Sequence, residues 1–226
     1  MNPNKEKTSA LSASSEALEI PSAKKIKTLL FDFGDVFINL DKSATAKKLV
    51  EFGLEDFDAE MILHNQSYAV GNINSNSFIS YYENKVQNAS AEAITKAWND
   101  ILLDFPQHRL AFLKKLKEKG DFQLILLSNT NDLHISWVKE NVDFYEEFKN
   151  CFDAFYLSHE INLRKPNGNI YEFVLKKHHL KPEEVLFIDD TQENTDAAKR
   201  LGIKVWNINP ATEDMTSLFT TNQHLF

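Results

Sequence analysis

The sequence predicts a three-layer α/β fold in which a parallel sheet lies between helices and carries a helical insert after its first strand. Short apolar runs without alternation predict strands that are buried on both faces, as in parallel sheets. Helical segments separate these runs at the spacing of βαβ units. Seventeen Phe, with only six Gly and six Pro, favour a helix-rich globular chain over an all-β one.

Residues 1–23 differ in composition from the rest of the chain. They are rich in Ser, Ala, Lys and Glu and contain no aromatic residue, so they carry little apolar surface to bury. We expect a disordered polar leader, with a short helix at 15–20 as the alternative. Lys5 and Lys7 are followed by Ser, Ala and Glu and not by the apolar segment of a signal peptide.

The first strand is predicted at 29–31, and Asp32 follows it in a turn. Over residues 43–108 the pattern becomes helical, with four apolar segments at helical spacing. We therefore predict a core formed by 24–42 and 109–226, with an inserted four-helix cap at 43–108.

Alternating helices and apolar runs fill the rest of the chain. One helix opens at Pro106 and stops at Gly120, a residue type that commonly ends helices. The remaining strands are predicted at 122–127, 154–157, 185–188 and 205–208, with helices at 169–178 and up to Gly202 before the last two. This order predicts parallel strands with right-handed crossovers, which is a Rossmann-like core.

The composition excludes several classes of partner. A net charge of −8 without clusters of Lys and Arg argues against nucleic acid, although a few local cations still suit a small anionic ligand. No window approaches the roughly eighteen consecutive apolar residues of a membrane span. Cys151 is the only cysteine, which excludes a disulfide framework and favours the cytoplasm. Nothing in the composition indicates an oligomeric state.

Polar side chains follow three of the predicted strands. They are Asp32, Ser128, Asn129, Asp189 and Asp190. In a parallel sheet these positions share one edge, where neighbouring carboxylates repel each other unless a divalent cation holds them ionised. Oxygen ligands with open positions suit Mg²⁺, which also takes substrate phosphate.

Two further residues suit the same edge. Gly34 allows its backbone carbonyl to approach a metal, and Lys165, placed by Pro166, offers a point charge to a phosphoryl group or a carboxylate. As an alternative, Asp189 and Asp190 only cap the following helix, and Arg164 and Lys165 are ordinary charged residues of a loop. The ordered combination at strand ends favours a metal-dependent acidic site.

Residues 27–208 resemble the haloacid dehalogenase superfamily of phosphotransferases. The motifs are FDFGDV at 31–36, LSNTN at 127–131, YLSHEINLRKPNGNIY at 156–171, FIDDTQEN at 187–194 and WNDILLDFP at 98–106. The chain looks most like the branch with a helical cap after the first strand. Within that branch it is similar to bacterial sugar phosphatases that act on glucose 1-phosphate.

The resemblance implies a phosphatase for small phosphate monoesters. Asp32 corresponds to the nucleophile that becomes an aspartyl phosphate. Ser128 and Asn129 correspond to phosphate-binding positions, and Lys165 to the lysine that neutralises charge in the transition state.

The resemblance also implies a magnesium cofactor. Its ligands would be Asp32, the backbone carbonyl of Gly34, Asp189 and Asp190. Asn194 is expected to brace the loop that carries the acidic pair.

One position departs from the pattern of the superfamily. Most of its phosphatases have a second Asp two residues after the nucleophile as general acid and base, and this chain has Gly34. General acid catalysis is worth about 10²–10⁴ in rate, so we expect good leaving groups, such as that of a sugar 1-phosphate. Asp35 is a weak substitute because adjacent side chains of an extended chain point to opposite sides.

Two other functions compete with the phosphatase. A 2-haloacid dehalogenase would use the same Asp32 without metal, but it has no use for the acidic pair. A noncatalytic binding or regulatory protein of this fold is supported only by Gly34. Within the predicted cap, His64, Gln66 and Trp98 are candidates to cover the substrate.

Overall fold

The computed structural model describes residues 25–226, which form a five-stranded parallel sheet with helices on both faces. The strand order is β3-β2-β1-β4-β5. The strands are β1 (Thr28–Phe31), β2 (Gln123–Ser128), β3 (Ala154–Leu157), β4 (Val185–Asp189) and β5 (Lys204–Asn207). The predicted α/β fold is confirmed, whereas the leader at 1–23 lies outside the described residues.

Four helices lie between β1 and the helix that precedes β2. They are α1 (Ala44–Glu51), α2 (Ala59–Ala69), α3 (Ser75–Lys85) and α4 (Ala91–Asn99), followed by α5 (Gln107–Lys119). The later helices are α6 (Asp132–Asn141), α7 (Tyr145–Asn150), α8 (Ser158–Ile161), α9 (Gly168–Lys177), α10 (Gln192–Arg200) and α11 (Leu218–Thr221). Among residues 25–226 no helix is long and apolar enough to cross a bilayer.

Side chains of β1 alternate between two hydrophobic cores. Leu29 and Phe31 pack in the core that also contains residues of α5, α6 and α7, whereas Leu30 packs in the core with residues of α9 and α10. All four residues of β1 are buried, which explains its continuous apolar run. The sheet is therefore the middle of three layers.

The insert has a hydrophobic core of its own. Buried residues of all four helices form it: Leu49, Met61, Tyr68, Phe78, Ile79, Tyr82 and Ile94, with Leu54 and Val86 from the connections. Asp58, Asn74 and Ser90 cap α2, α3 and α4 by accepting hydrogen bonds from backbone N–H groups.

The chain enters and leaves the insert at one hydrogen-bonded junction. The Asn39 N–H donates to the Asp104 carbonyl, and the Leu103 N–H donates to the Asn39 carbonyl, both at 2.9 Å. The predicted insert of four helices after the first strand agrees with this arrangement. Its limits at 43–108 stay a prediction, and α5 begins just inside them at Gln107.

The end of α2 lies directly against the core. The Ser158 hydroxyl donates to the Ala69 carbonyl at 2.6 Å. Gly71, with a φ of 73°, comes so close to α8 that a Cβ there would lie 2.1 Å from the His159 carbonyl oxygen. A left-handed backbone and this contact both require glycine at the position. The insert is thereby seated at the carboxyl edge of the sheet.

Candidate active site

The carboxyl edge of the sheet contains a cleft of about 270 Å³, and most of the predicted site residues line it. They are Asp32, Gly34, Asn129, Lys165, Asp190 and Asn194. Asp189 is fully buried beside this cleft at the end of β4. Ser128 ends β2 and is buried, and its hydroxyl makes no hydrogen bond within residues 25–226.

Lys165 lies between two carboxylates. Its side chain is fully buried, and its Nζ donates to Asp32 Oδ1 at 2.6 Å and to Asp189 Oδ2 at 2.7 Å. Burial alone would lower the pKa of Lys165, but the charges of Asp189 and Asp32 outweigh burial and raise it. Lys165 is therefore a fixed cation at the base of the cleft.

Asp32 follows β1, and its backbone N–H continues the sheet by donating to the Ile188 carbonyl at 2.9 Å. Burial raises the pKa of Asp32 to about 7, because the opposing charge of Lys165 only partly offsets burial and the Asp189 carboxylate adds repulsion. A bound cation would favour the ionised, nucleophilic form of this carboxylate.

Both oxygens of Asp189 accept hydrogen bonds from the protein. Its Oδ1 accepts hydrogen bonds from the Thr191 N–H at 2.8 Å and from Asn194 Nδ2 at 3.0 Å. Its Oδ2 accepts from Lys165 and, at 3.1 Å, from Asn194 Nδ2. Three donor groups make these four contacts, which match the acceptor capacity of a carboxylate. This geometry favours Asp189 as the residue that positions Lys165, and it places Asn194 as the predicted brace.

The side-chain amide of Asn129 makes two hydrogen bonds with the backbone of Lys165. Its Nδ2 donates to the Lys165 carbonyl at 2.8 Å, and its Oδ1 accepts from the Lys165 N–H at 2.9 Å. Asn129 therefore fixes the loop that carries the lysine. Its predicted contact with phosphate remains a prediction.

Asp35 and Asp190 share a cation that the sequence did not indicate. Lys42 Nζ lies 2.9 Å from Asp35 Oδ2 and 2.5 Å from Asp190 Oδ2. The other oxygen of Asp35 accepts the Leu40 N–H at 3.0 Å. The backbone of Asp35 is left-handed, with a φ of 55°, and not extended as assumed from the sequence. Both oxygens of Asp35 are engaged, one by the Leu40 N–H and the other by Lys42.

Leu40 occupies the space beside Gly34. A Cβ on Gly34 would lie 2.7 Å from Leu40 Cδ1, so an acid at this position would require Leu40 to move. Leu40 and Lys42 both line the cleft. No sequence pattern marked either residue, because each meets the site through the loop that follows β1.

The acidic side chains fit a hard divalent cation. One oxygen from each of Asp32, Asp189 and Asp190 lies within 4.8 Å of the others. Oxygen donors alone, in a cleft with room for water, are the ligands that Mg²⁺ prefers. Asp32, Asp189, Asp190 and the Gly34 carbonyl remain the predicted ligands, and Asp189 is the one that accepts the most hydrogen bonds from the protein.

The three cap candidates lie in different places. His64 and Trp98 belong to the aromatic packing of the insert, with ring centroids 5.6 Å and 4.5 Å from that of Phe78. Gln66 instead lines a second groove next to the cleft. The structure therefore leaves Gln66 as the candidate with access to a ligand.

A sequence model of the haloacid dehalogenase-like hydrolases matches residues 26–202. The chain belongs to this family. The resemblance to the haloacid dehalogenase superfamily inferred from the motifs is thereby confirmed.

Individual relatives of this haloacid dehalogenase-like hydrolase agree with the assignment. D-ribitol-5-phosphate phosphatase from Bacteroides thetaiotaomicron is 27% identical over 190 residues, which cover 80% of this chain and 91% of the relative. A structure of the HAD family enzyme bt-2542 from the same organism, in complex with magnesium and inorganic phosphate, has a TM-score of 0.76 at 34% identity. The superposition of the two structures covers 86% of this chain and 99% of the bt-2542 chain. An L-2-haloacid dehalogenase, with 16% identity and a TM-score of 0.59, shares the fold alone.

Proposed function

We propose that this haloacid dehalogenase-like hydrolase is a Mg²⁺-dependent phosphatase that hydrolyses small phosphate monoesters through an aspartyl phosphate on Asp32. The observation that carries the proposal is the buried Lys165 ammonium held between Asp32 and Asp189, with Asp190 beside them. The magnesium and phosphate complex of bt-2542 supports the same chemistry. Magnesium, when bound, would offset the charge of the carboxylates and the phosphoryl group.

The residues of the chain divide the reaction into two displacements. Lys165 holds one oxygen of Asp32, and the other oxygen attacks phosphorus while the bond to the leaving oxygen breaks. The leaving oxygen departs as an alkoxide or hemiacetal oxyanion and takes its proton from water. Water then attacks the aspartyl phosphate, which releases inorganic phosphate and restores the carboxylate. Lys165 and the free Ser128 hydroxyl stabilise the charge on the phosphoryl oxygens.

The substrate we propose is a sugar phosphate with a good leaving group, such as a sugar 1-phosphate. Gly34 supplies no general acid, and Leu40 Cδ1 lies 2.7 Å from where a Cβ on Gly34 would be, while Asp35 is engaged by Leu40 and Lys42. A hemiacetal oxygen leaves with less need of protonation than an ordinary alkoxide does. The similarity to D-ribitol-5-phosphate phosphatase supports a polyhydroxylated phosphate ester, although one with an alkyl leaving group.

The acidic pair distinguishes this proposal from carbon–halogen hydrolysis. Asp189 and Asp190 add two carboxylates next to Asp32, which a metal-free displacement of halide does not require. The cytoplasmic location expected from the single cysteine also stays a proposal.

Release of inorganic phosphate from a panel of esters, with Mg²⁺ and with EDTA, tests the function. The panel contains glucose 1-phosphate, glucose 6-phosphate, D-ribitol 5-phosphate and phenyl phosphate, with Asp32→Asn as the blank. We expect Mg²⁺-dependent release that falls by at least about 10³-fold in Asp32→Asn. Release that survives in the variant, or no release from any ester, would contradict the proposal. A clear preference for glucose 6-phosphate over glucose 1-phosphate would contradict only the proposal that the enzyme requires a good leaving group.

A further inference from the structure

A second groove of about 500 Å³ lies next to the catalytic cleft, between α2 of the insert and the segment that leads into α9. Most of its polar lining consists of side-chain amides. They belong to Gln66, Asn72, Asn162, Asn167 and Asn169. Among the lining residues only Arg164 carries a charge.

Arg164 connects this groove to the catalytic cleft, because it lines both. Its neighbour in the chain is Lys165, whose ammonium contacts Asp32. Within residues 25–226 the Arg164 guanidinium makes no ion pair, and its buried Nε has no hydrogen-bond partner. A buried donor without a partner costs free energy, so it indicates a group that arrives from outside the chain.

The chemistry of the lining indicates what that group is. Side-chain amides both donate and accept hydrogen bonds, as hydroxyl groups do. A second phosphate or carboxylate would be expected to meet several cations, and this groove has one. Within residues 25–226 the only hydrogen bond between the lining residues of the two walls is the Asn162 Nδ2 donation to the Val70 carbonyl at 2.7 Å. The other four amide residues are exposed.

We infer that Arg164 is a specificity-determining residue that binds the leaving group of the substrate, an uncharged polyhydroxylated chain or ring that extends from the cleft into this groove. The inference rests on the proposed phosphatase function and names the part of the substrate that the catalytic residues do not contact. Gln66 serves the same leaving group from the insert, and Arg164 serves it from the core.

Arg164→Gln separates recognition of the leaving group from phosphoryl transfer. The substrates are D-ribitol 5-phosphate and glucose 1-phosphate, compared with phenyl phosphate, which has no hydroxyl groups on its leaving group. For the better of the two polyhydroxylated esters we expect kcat/KM to fall by about 10–100-fold, mainly through KM. For phenyl phosphate we expect a change below about 3-fold, because the phosphoryl contacts are unchanged.

Arg200→Gln is the matched control, since Arg200 is exposed at the end of α10 and lines neither cavity. Gln66→Leu repeats the test from the other wall of the groove and replaces Arg164→Gln if that variant does not fold. It should show the same selective loss for the polyhydroxylated ester.

Three outcomes would overturn the inference. Equal losses for phenyl phosphate and the polyhydroxylated esters would assign Arg164 to the phosphoryl group. Unchanged kinetics in both groove variants would leave the groove without a role. A wild-type preference for glucose 1,6-bisphosphate over glucose 1-phosphate would make it an anion site. In each case hydrolysis of phenyl phosphate by the wild type would leave the proposed function intact, and its absence would contradict that function separately.

Discussion

Asp189 and Asp190 are adjacent carboxylates with different surroundings. Asp189 accepts hydrogen bonds from three donor groups of the protein, including Lys165. Asp190 instead lines the cleft, where it pairs with the exposed Lys42 and accepts a long 3.5 Å hydrogen bond from the Thr191 hydroxyl. The two positions therefore have different chemistry even though the sequence makes them look equivalent.

Substitution by Asn should separate these two roles. Asp189→Asn leaves Lys165 with one carboxylate, so we expect kcat to fall by about 10–100-fold while the Mg²⁺ concentration for half-maximal activity changes by less than about 3-fold. Asp190→Asn should instead raise that Mg²⁺ concentration by about 100-fold. Titration of activity with Mg²⁺ measures both. Equal losses of Mg²⁺ affinity would show that Asp189 is itself a ligand.

Gly34 and Leu40 form a pair that should be tested together. Gly34→Asp alone brings a Cβ to 2.7 Å from Leu40 Cδ1, the end of a partly exposed side chain that can move, so we expect a loss of only about 1 kcal/mol or less in unfolding free energy. With Leu40→Ala added, the acid has room, and hydrolysis of glucose 6-phosphate relative to glucose 1-phosphate should rise by about 10–100-fold. Leu40→Ala alone is the control. An unchanged ratio in the double variant would refute an effect of the missing acid.

At the scale of elements, the contact between α2 and α8 holds the insert against the sheet. Gly71 and Gly120 have similar left-handed backbones, with φ of 73° and 66°. A Cβ at Gly71 would meet the His159 carbonyl, whereas a Cβ at Gly120 would meet nothing within 4 Å. Substitution at Gly120 therefore tests backbone strain alone, whereas substitution at Gly71 tests backbone strain together with the close contact between the insert and α8.

Gly120→Ala should cost about 1 kcal/mol of unfolding free energy and leave KM unchanged. Gly71→Ala should cost more, by about 1–3 kcal/mol, and should also raise KM, because the insert can no longer lie as close to α8. Thermal unfolding and kinetics on one substrate measure these effects. If the two variants behave alike, the contact with His159 does not seat the insert.

For the molecule as a whole, His134 makes stability depend on pH. Its Nε2–H donates to the Trp98 carbonyl of the insert, and its Nδ1 accepts from the Asn131 amide, both at 3.1 Å. Burial lowers the pKa of His134 to about 4, against an ordinary value of 6.5. Because the folded pKa is the lower one, protonation favours the unfolded chain. This contribution is complete above about pH 6.5 and is lost as the pH falls toward 4.

At pH 5 the loss amounts to about 2 kcal/mol of unfolding free energy relative to neutral pH. Denaturant unfolding of the wild type and of His134→Gln at pH 5 and at neutral pH measures this loss. Between the two pH values the unfolding free energy of the variant should fall by about 2 kcal/mol less than that of the wild type. His224→Gln, at an exposed position, is the control and should behave as the wild type does. Identical pH dependence in His134→Gln and the wild type would contradict the prediction.

The predictability of the strands follows from their burial. Each predicted strand begins and ends within one residue of the observed one. For β1, β2 and β4 this follows from burial on both faces, which makes them continuous apolar runs, whereas the edge strand β5 is only partly buried. The short helices α7, α8 and α11 were not predicted. Helices of one or two turns have little stability of their own and form here through packing.

The site was predictable where a strand ends and unpredictable where a loop folds back. Asp32 and Asp189 come together because parallel strands end at one edge. Lys42 and Leu40 reach the cleft through the loop after β1, and Arg164 is recognised only from the two cavities it lines. The unequal engagement of Asp189 and Asp190 depends on side-chain hydrogen bonds that no spacing encodes.

The hydrogen-bonded junction at Asn39 and Asp104 has a consequence for how such a chain can change over generations. The insert leaves the core and returns to it at neighbouring positions. The path of the sheet therefore does not depend on the number of residues in the insert. Another segment inserted at the same junction would leave the path of the sheet as it is, while the contacts that Ala69, Gly71 and Trp98 make with the core would have to be replaced. The junction therefore allows the insert to vary in evolution while the strands that carry the catalytic groups keep their positions in the sheet.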